Sequence, residues 1–151
     1  MTKAELKVYT DYFGQLPLGN VKDQEVRLSI VKLYCELSKL LKPVTDEIEL
    51  LRTTIVGEKQ DEVNEYVLLK ERGDEDSVLE AEGMTDCVRI EKDFQEATRR
   101  LYEEELPEGT VLPKIPLATL YDALLDCGFP KLSFNVGLSV IVQEFAPFID
   151  T

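Results

Sequence analysis

The sequence contains no histidine and no tryptophan. Without histidine, the chain has neither the Ser-His and Cys-His pairs of nucleophilic enzymes nor an imidazole general base, and ordinary zinc hydrolase sites are excluded too. A Gly-rich phosphate loop, a GK[ST] motif and a nucleophile elbow are also missing. These absences predict a protein that is not an enzyme and has no catalytic residues, cofactor or metal.

Cysteine and long apolar runs are scarce. Cys35, Cys87 and Cys127 are odd in number and far apart, as is typical of reduced thiols in a cytoplasmic protein. No apolar run approaches the roughly 20 residues that a membrane span requires, and the first residues carry no apolar signal core. We therefore expect a cytoplasmic protein that makes no contact with a membrane.

The charge of the chain is strongly acidic and unevenly distributed. The 151 residues include 30 Asp and Glu against 17 Lys and Arg, for a formal charge of −13. Residues 61–108 alone carry a net charge of −11. Such a field repels nucleic acid and anionic lipid and attracts a basic protein surface. The more common interpretation, a solvated face that keeps the protein soluble, stays open.

Residues 1–20 have the pattern of a short helix followed by a turn. Thr2 and Glu5 form a capping-box pattern, and apolar residues three and four positions apart follow. The helix is predicted to end at Gly14, before a turn with apolar anchors. The apolar stripe consists of Leu6, Tyr9 and Phe13.

A long helix is predicted over residues 21–56, because apolar residues recur at coiled-coil spacing with one stutter. Pro43 falls at the stutter and is expected to kink the helix or split it in two. Gly57 is the predicted C-cap. We expect the stripe to pack inside the chain; the alternative is a homo-oligomer that uses the same stripe. Its members are Val26, Ile30, Leu33, Leu37, Leu40, Val44, Ile48, Leu51 and Ile55.

Residues 63–83 favour a β-hairpin, because short apolar runs flank a turn rich in Gly and Asp. The alternative extends the long helix through Leu69, which the neighbouring Glu and Lys residues permit. The turn resembles the opening of a calcium loop at Asp74, but Val78 and Leu79 stand where an oxygen ligand and a glycine belong. We therefore predict no calcium site.

Helical spacing returns over residues 90–106. The predicted buried side of this helix includes Ile90, Phe94 and Leu101. Three consecutive glutamates, residues 103–105, end the helix and oppose its dipole. This local conflict indicates that the acidic cluster serves something other than helix stability.

Two shorter helices are predicted near the C-terminus. The first covers 117–127, with Leu120, Leu124 and Leu125 inward. The second lies in the most hydrophobic part of the chain, and residues 132–136 are predicted as a strand before it. Its apolar side consists of Leu138, Ile141, Val142 and Phe145.

The run Tyr12–Gly19, with Lys22, Asp23 and the stretch from Arg27 to Leu33, is similar to a group of small tailed-phage proteins. Their pattern is a short N-terminal segment, a turn, a long helix, an acidic turn, a second helix with a Glu-rich end and a hydrophobic tail. The resemblance implies a phage or prophage origin, in virion assembly or host interference, and carries over no catalytic residues. The order of helix, hairpin and helix also resembles prefoldin subunits.

Together these patterns predict one α-rich α+β domain over residues 1–151. An N-terminal helix and turn occupy 1–20. A long antiparallel helical hairpin with an acidic tip and a small β-hairpin occupies 21–106. A segment that closes the core with a hydrophobic C-terminal helix occupies 107–151.

The favoured function is a non-catalytic, phage-encoded structural or assembly-accessory protein of the host cytoplasm or virion. It would bind a protein partner with a basic surface, through helix packing and acidic residues, without binding nucleic acid directly. The alternative is an acidic inhibitor that mimics nucleic acid and occupies the basic groove of a host defence enzyme. The candidate contact residues are Asp74, Glu75, Asp76, Glu80, Glu82, Glu103, Glu104 and Glu105.

Overall fold

The computed structural model describes residues 1–128 and 137–150. This part of the chain is helix-rich, with one two-stranded parallel sheet, as the predicted α-rich α+β class requires. The predicted strand over residues 132–136 lies outside the described residues. The chain divides into two compact units. The terminal unit comprises Met1, residues 3–41 and residues 106–151, and the acidic unit comprises residues 42–105 with Thr2.

Helices from both ends of the chain form the terminal unit. Its elements are α1 (Lys3–Gln15), the first part of α2 (Gln24–Leu51), α6 (Leu117–Asp126) and α7 (Gly137–Phe145). Two short strands, β1 (Ile115–Pro116) and β2 (Ile149–Asp150), pair in parallel. The fully buried side chains of its core are Leu6, Val21, Ile30, Leu37, Leu120, Ala123, Leu124, Ile141 and Phe148.

Aromatic rings from α1 and the C-terminal segment meet in this core. Phe13 lies 5.6 Å from Phe145 and 6.1 Å from Phe148, measured between ring centroids. Tyr9 lies 4.7 Å from Phe148 and donates a hydrogen bond of 2.5 Å to the backbone carbonyl of Glu144. These contacts join the first helix to the C-terminal segment, whose residues Ile141, Phe145 and Phe148 belong to the core.

The long helix α2 runs without interruption through Pro43. Of the two alternatives predicted for Pro43, a kink or a split, the split is therefore wrong. A π-helical turn over Arg52–Val56 follows, and Gly57 ends it at φ 55°, with its backbone N–H bonded to the carbonyl of Arg52, so the predicted C-cap is confirmed. The stripe packs inside the chain at four positions, where Ile30, Leu33, Leu37 and Val44 are at most 3% exposed.

The acidic unit is helical where a β-hairpin is predicted, so that prediction is wrong. The alternative, in which the long helix extends through Leu69, is correct only in that these residues are helical, because Gly57 ends the preceding helical turn and a separate helix begins at Gln60. The remaining elements of the acidic unit are α3 (Gln60–Glu71), α4 (Asp76–Leu79), a π-helical turn (Glu80–Met84) and α5 (Thr85–Glu103). Val63 and Tyr66 stand three residues apart on α3 and are both buried, which is a helical spacing. The apolar run that suggested a strand leaves Leu68 57% exposed.

The remaining helices lie close to their predicted positions. Helix α5 begins at Thr85 rather than near residue 90, with Ile90 and Leu101 buried. Helix α6 buries Leu120 and Leu124 as predicted, whereas Leu125 is 43% exposed, so its predicted inward position is wrong. Val142 of α7 is likewise 41% exposed. In each case an apolar residue one position beyond the buried stripe faces outward.

Candidate protein-contact surface

Nearly all of the excess negative charge belongs to the acidic unit. Residues 42–105 contain 20 of the 30 Asp and Glu residues but only 9 of the 17 Lys and Arg residues. The unit therefore carries a net charge of −11, out of −13 for the whole chain. This placement makes the acidic unit the source of any electrostatic attraction to a basic partner.

Ion pairs within the unit engage most of its basic residues. Seven of the nine cations pair with a nearby carboxylate, and the two without such a pair are Arg72 and Lys92. Most pairs join residues three or four positions apart on one helix, which stabilises the helix only modestly. The pairs are Lys42–Asp46, Arg52–Glu49, Lys59–Glu62, Lys70–Asp76, Arg89–Asp86, Arg99–Glu96, Arg99–Glu103 and Arg100–Glu96.

Most of the carboxylates that these cations leave unpaired in the described chain lie in one continuous stretch, and Glu91 and Asp93 of α5 are further ones outside it. On α3 and the turn before it, Glu58, Asp61 and Glu65 follow a spacing of three and four residues, so they share one helix face. Further unpaired carboxylates follow at the end of α3, in the turn after it and in the π-helical turn. We call the set the acidic surface: Glu58, Asp61, Glu65, Glu71, Asp74, Glu75, Glu80 and Glu82, all exposed and without an ion pair in the described chain.

The structure brings only half of the predicted contact residues into this surface. Four of them, Asp74, Glu75, Glu80 and Glu82, belong to it. Residues 103–105 lie at the other end of the 19-residue helix α5, a length of roughly 28 Å at 1.5 Å per residue. Residues 103–105 therefore stand at the C-terminal end of α5, whereas the other predicted contact residues precede its first turn.

The other four predicted residues engage groups of the protein itself. Glu103 pairs with Arg99 at 2.5 Å, Asp76 pairs with Lys70 at 2.9 Å, and Glu104 and Glu105 also interact within the protein. The residues that the sequence analysis missed are Glu58, Asp61, Glu65 and Glu71. Their helical spacing was visible in the sequence, but the β-hairpin interpretation concealed it from residue 63 onward.

Asp76 has a structural role at the start of α4. The Tyr66 hydroxyl donates a hydrogen bond of 2.6 Å to its Oδ1 atom, and the Lys70 ammonium lies 2.9 Å from the same atom. The hydrogen bond from Tyr66, followed by that from Lys70, lowers the pKa of Asp76 below its ordinary 3.8. Burial, and then the hydrogen bond to Asp76, raises the pKa of Tyr66 to about 12. These contacts hold α4 against α3.

We expect the contribution of Asp76 to stability to depend on pH. Because its pKa is lower in the folded protein, the ionised carboxylate stabilises the fold above pH 3.8, and this effect is lost as the pH falls through the lowered value. Asp76→Asn should therefore lower the urea denaturation midpoint at pH 7, and its difference from the unmodified protein should shrink as the pH falls below 3.8. The exposed, unpaired Asp74 provides the matched control. If Asp74→Asn shows the same pH-dependent difference, the contacts of Asp76 are not its cause.

A groove lies between α3 and α5 beside the acidic surface. Two adjoining cavities of about 400 and 380 Å³ share Val67 and Glu91 in their walls. The larger cavity also contacts Val63 and Phe94, and the exposed Leu68 stands at its edge. The groove therefore combines an apolar floor with a polar rim, and its larger cavity falls in the range of roughly 300–1,000 Å³ typical of ligand pockets.

Carboxylates and thiols are the side chains of this protein that could support metal binding or nucleophilic chemistry. Residues 1–128 and 137–150 contain no cluster of three or more Cys, Asp or Glu side chains arranged to hold a metal ion. Burial raises the pKa of the Cys87 and Cys127 thiols, which disfavours the thiolate that nucleophilic chemistry requires. The three cysteines are free thiols.

Among the described helices, none combines the length and apolar character needed to span a bilayer. Comparison of the chain with protein-family models, curated proteins and solved structures gives no match. The inference of function therefore depends on the residues and the geometry above.

Proposed function

We propose that this chain is a non-catalytic protein that binds a basic protein partner through the acidic surface. The observation that carries the proposal is the set of eight exposed carboxylates between residues 58 and 82, none of which forms an ion pair in the described chain. A surface of this kind raises the rate at which a basic partner is encountered. In the setting that the sequence resemblance implies, the partner is a phage structural protein and the chain is an assembly-accessory protein. We also propose that α5 runs antiparallel to the part of α2 within the acidic unit, as a hairpin.

The charge balance supports binding over a purely solubilising role. A solubilising surface mixes charges of both signs, and the acidic unit does so along most of its helices through pairs such as Arg99–Glu96. Residues 58–82 differ, because they contain ten carboxylates against three cations. Lys59 and Lys70 are each held by a carboxylate outside the acidic surface, and Arg72 is the third cation, without an ion pair in the described chain. The raised thiol pKa values of Cys87 and Cys127 support the non-catalytic part of the proposal.

One observation favours the second candidate, a nucleic-acid mimic that inhibits a host enzyme. Glu58, Asp61 and Glu65 form a row on one helix face, and successive members stand about one helical turn, 5.4 Å, apart. A mimic needs such rows at phosphate-like separations. Leu68 continues the row one turn later and is 57% exposed. A leucine in this position interrupts the mimicry, and we therefore rank this function second.

The test is an affinity experiment with three baits at low and high salt, read by mass spectrometry of the retained host and phage proteins. The baits are the unmodified protein, the double variant Asp61→Lys/Glu65→Lys, and a control with the same charge change in the terminal unit, Glu25→Lys/Asp122→Lys. Glu25 and Asp122 are exposed and form no ion pair in the described chain. A basic protein that only the first and third baits retain at low salt supports the proposal. Equal retention by all three baits contradicts it.

The identity and behaviour of the retained protein separate the two candidates. A phage capsid, portal or tail protein that duplex DNA does not displace supports the assembly role. A nucleic-acid enzyme that duplex DNA displaces in a salt-dependent manner supports the mimic.

A further inference from the structure

The larger cavity of the groove lies directly beside the acidic surface. Asn64 and Leu68, one helical turn apart on α3, line the cavity. Asp61 and Glu65 precede Leu68 by seven and three residues, so they stand on the adjoining strip of the same helix. A partner that contacts this strip therefore lies within reach of the cavity.

The wall of the cavity is suited to an apolar side chain. Val63 is 2% exposed and forms part of the floor with Val67 and Phe94. The guanidinium of Arg52 lies over the Phe94 ring, 4.7 Å from its centroid, and covers one end. Because Leu68 is 57% exposed, an apolar group that enters the cavity removes additional apolar surface from water, which favours binding.

The charges around the cavity favour a basic occupant. In the larger cavity, the one basic side chain among the described lining residues is Arg52, which lies 3.7 Å from Glu49. In the smaller cavity, Lys70 is bound to Asp76, and Lys92, which forms no ion pair in the described chain, lines the wall together with Glu71 and Glu91. Glu91 lines both cavities and adds to the field of a unit whose net charge is −11. A basic segment gains from this field, whereas an acidic one is repelled.

From this juxtaposition we propose that the cavity beside Leu68 receives the apolar face of an amphipathic, lysine- or arginine-rich segment of the partner protein, while the acidic surface contacts its basic face. This mode of binding is that of an amphipathic helix in a groove. The apolar anchors contribute most of the affinity, and the charges at the rim raise the association rate and orient the helix. The inference rests on the proposed function and names the chemistry of its partner.

Two synthetic peptides of about 14 residues test the proposal, since this is the length of a short amphipathic helix. Both contain the same lysines, leucines and one tryptophan, so their net charges are equal. In the first peptide the apolar residues follow helical spacing, and in the second they are scrambled. Because the chain has no tryptophan, the fluorescence of the peptide reports its own burial. We expect the first peptide to bind at least about 10-fold more tightly than the scrambled one, a difference that corresponds to 1.4 kcal/mol. Its tryptophan emission should shift to the blue on binding.

A pair of exposed leucines provides matched variants. Leu68→Ser should reduce the preference for the amphipathic peptide by about 3- to 10-fold, the loss of one partly buried anchor. Leu50→Ser, at a leucine of the same unit that is 65% exposed and does not line the groove, should leave the preference unchanged. Circular dichroism would show that both variants keep their helices.

The outcomes distinguish the two proposals. Equal binding of the two peptides, or equal losses in the Leu68→Ser and Leu50→Ser variants, overturns the apolar site. If binding then remains sensitive to salt and to Asp61→Lys/Glu65→Lys, the proposed function stands without that site. If neither peptide binds at low salt, both proposals fail.

Discussion

We expect the substitution Phe13→Ala to lower the free energy of unfolding of the terminal unit by about 3–5 kcal/mol. Phe13 is 1% exposed, and its ring contacts those of Tyr12, Phe145 and Phe148 at centroid distances of 5.6, 5.6 and 6.1 Å. Removing the ring loses its transfer free energy and leaves a cavity. The neighbouring rings are held by other contacts, and therefore fill this space incompletely. This loss is a large share of the total free energy of unfolding of a typical protein, about 5–15 kcal/mol.

Urea denaturation followed by circular dichroism at 222 nm measures this effect. Val8→Ala is the control, because Val8 lies on the same helix and is 67% exposed; we expect a change within about 0.5 kcal/mol. A loss below about 1 kcal/mol for Phe13→Ala, well under the range for buried aromatic residues, would show that the aromatic cluster between α1 and the C-terminal segment does not form in solution.

The second large effect is expected from charge reversal on α3. Asp61→Lys/Glu65→Lys should lower the association rate constant for the basic partner by about 10-fold at low salt and change the dissociation rate constant by less than about 2-fold. Both side chains are exposed and unpaired, so the change alters the field without removing a buried contact. The difference should disappear near 1 M salt, where the Debye length is about 3 Å.

Stopped-flow measurements with the partner recovered by affinity provide the rate constants. Glu25→Lys/Asp122→Lys changes the net charge by the same amount in the terminal unit, and should slow association by no more than about 2-fold. If this control slows association as much as the α3 variant, the net charge of the chain and not the acidic surface governs binding. A loss carried mainly by faster dissociation would assign these carboxylates a direct contact role instead.

The positions of the helices could be predicted largely from apolar spacing. The stripe through Ile30, Leu33 and Leu37 predicted α2, and the structure buries all three residues. The pattern around Leu120 and Leu124 predicted α6 in the same way. An α-helix satisfies its backbone hydrogen bonds within each turn, so the face that it buries leaves a local period in the sequence.

The acidic unit shows where this period becomes ambiguous. Tyr66, Val67, Leu68 and Leu69 form a short apolar run, which fits a buried strand and a helix equally well. Packing decides between them, because α3 buries Val63 and Tyr66 and leaves Leu68 exposed. The same ambiguity concealed the helical position of Glu65 and Glu71, which lie within the segment predicted as a hairpin.

Pairing between strands that are far apart in the sequence leaves no local pattern by which it could be predicted. Ile115 and Ile149 pair in a parallel two-stranded sheet, and strands of two residues are too short to show the alternation by which strands are recognised. The same holds for the roles of individual carboxylates. Asp74 and Asp76 are two residues apart in one acidic turn, yet only Asp76 meets Tyr66 and Lys70.

Composition and apolar spacing were thus sufficient to predict the acidic charge, the helical class and the long helix. Which carboxylates remain unpaired, and which leucine stands exposed beside a cavity, depended on the packing of α3 against α5. The physical reason is that helical hydrogen bonds join residues four apart, whereas burial and ion pairing depend on the neighbours that the folded chain brings together.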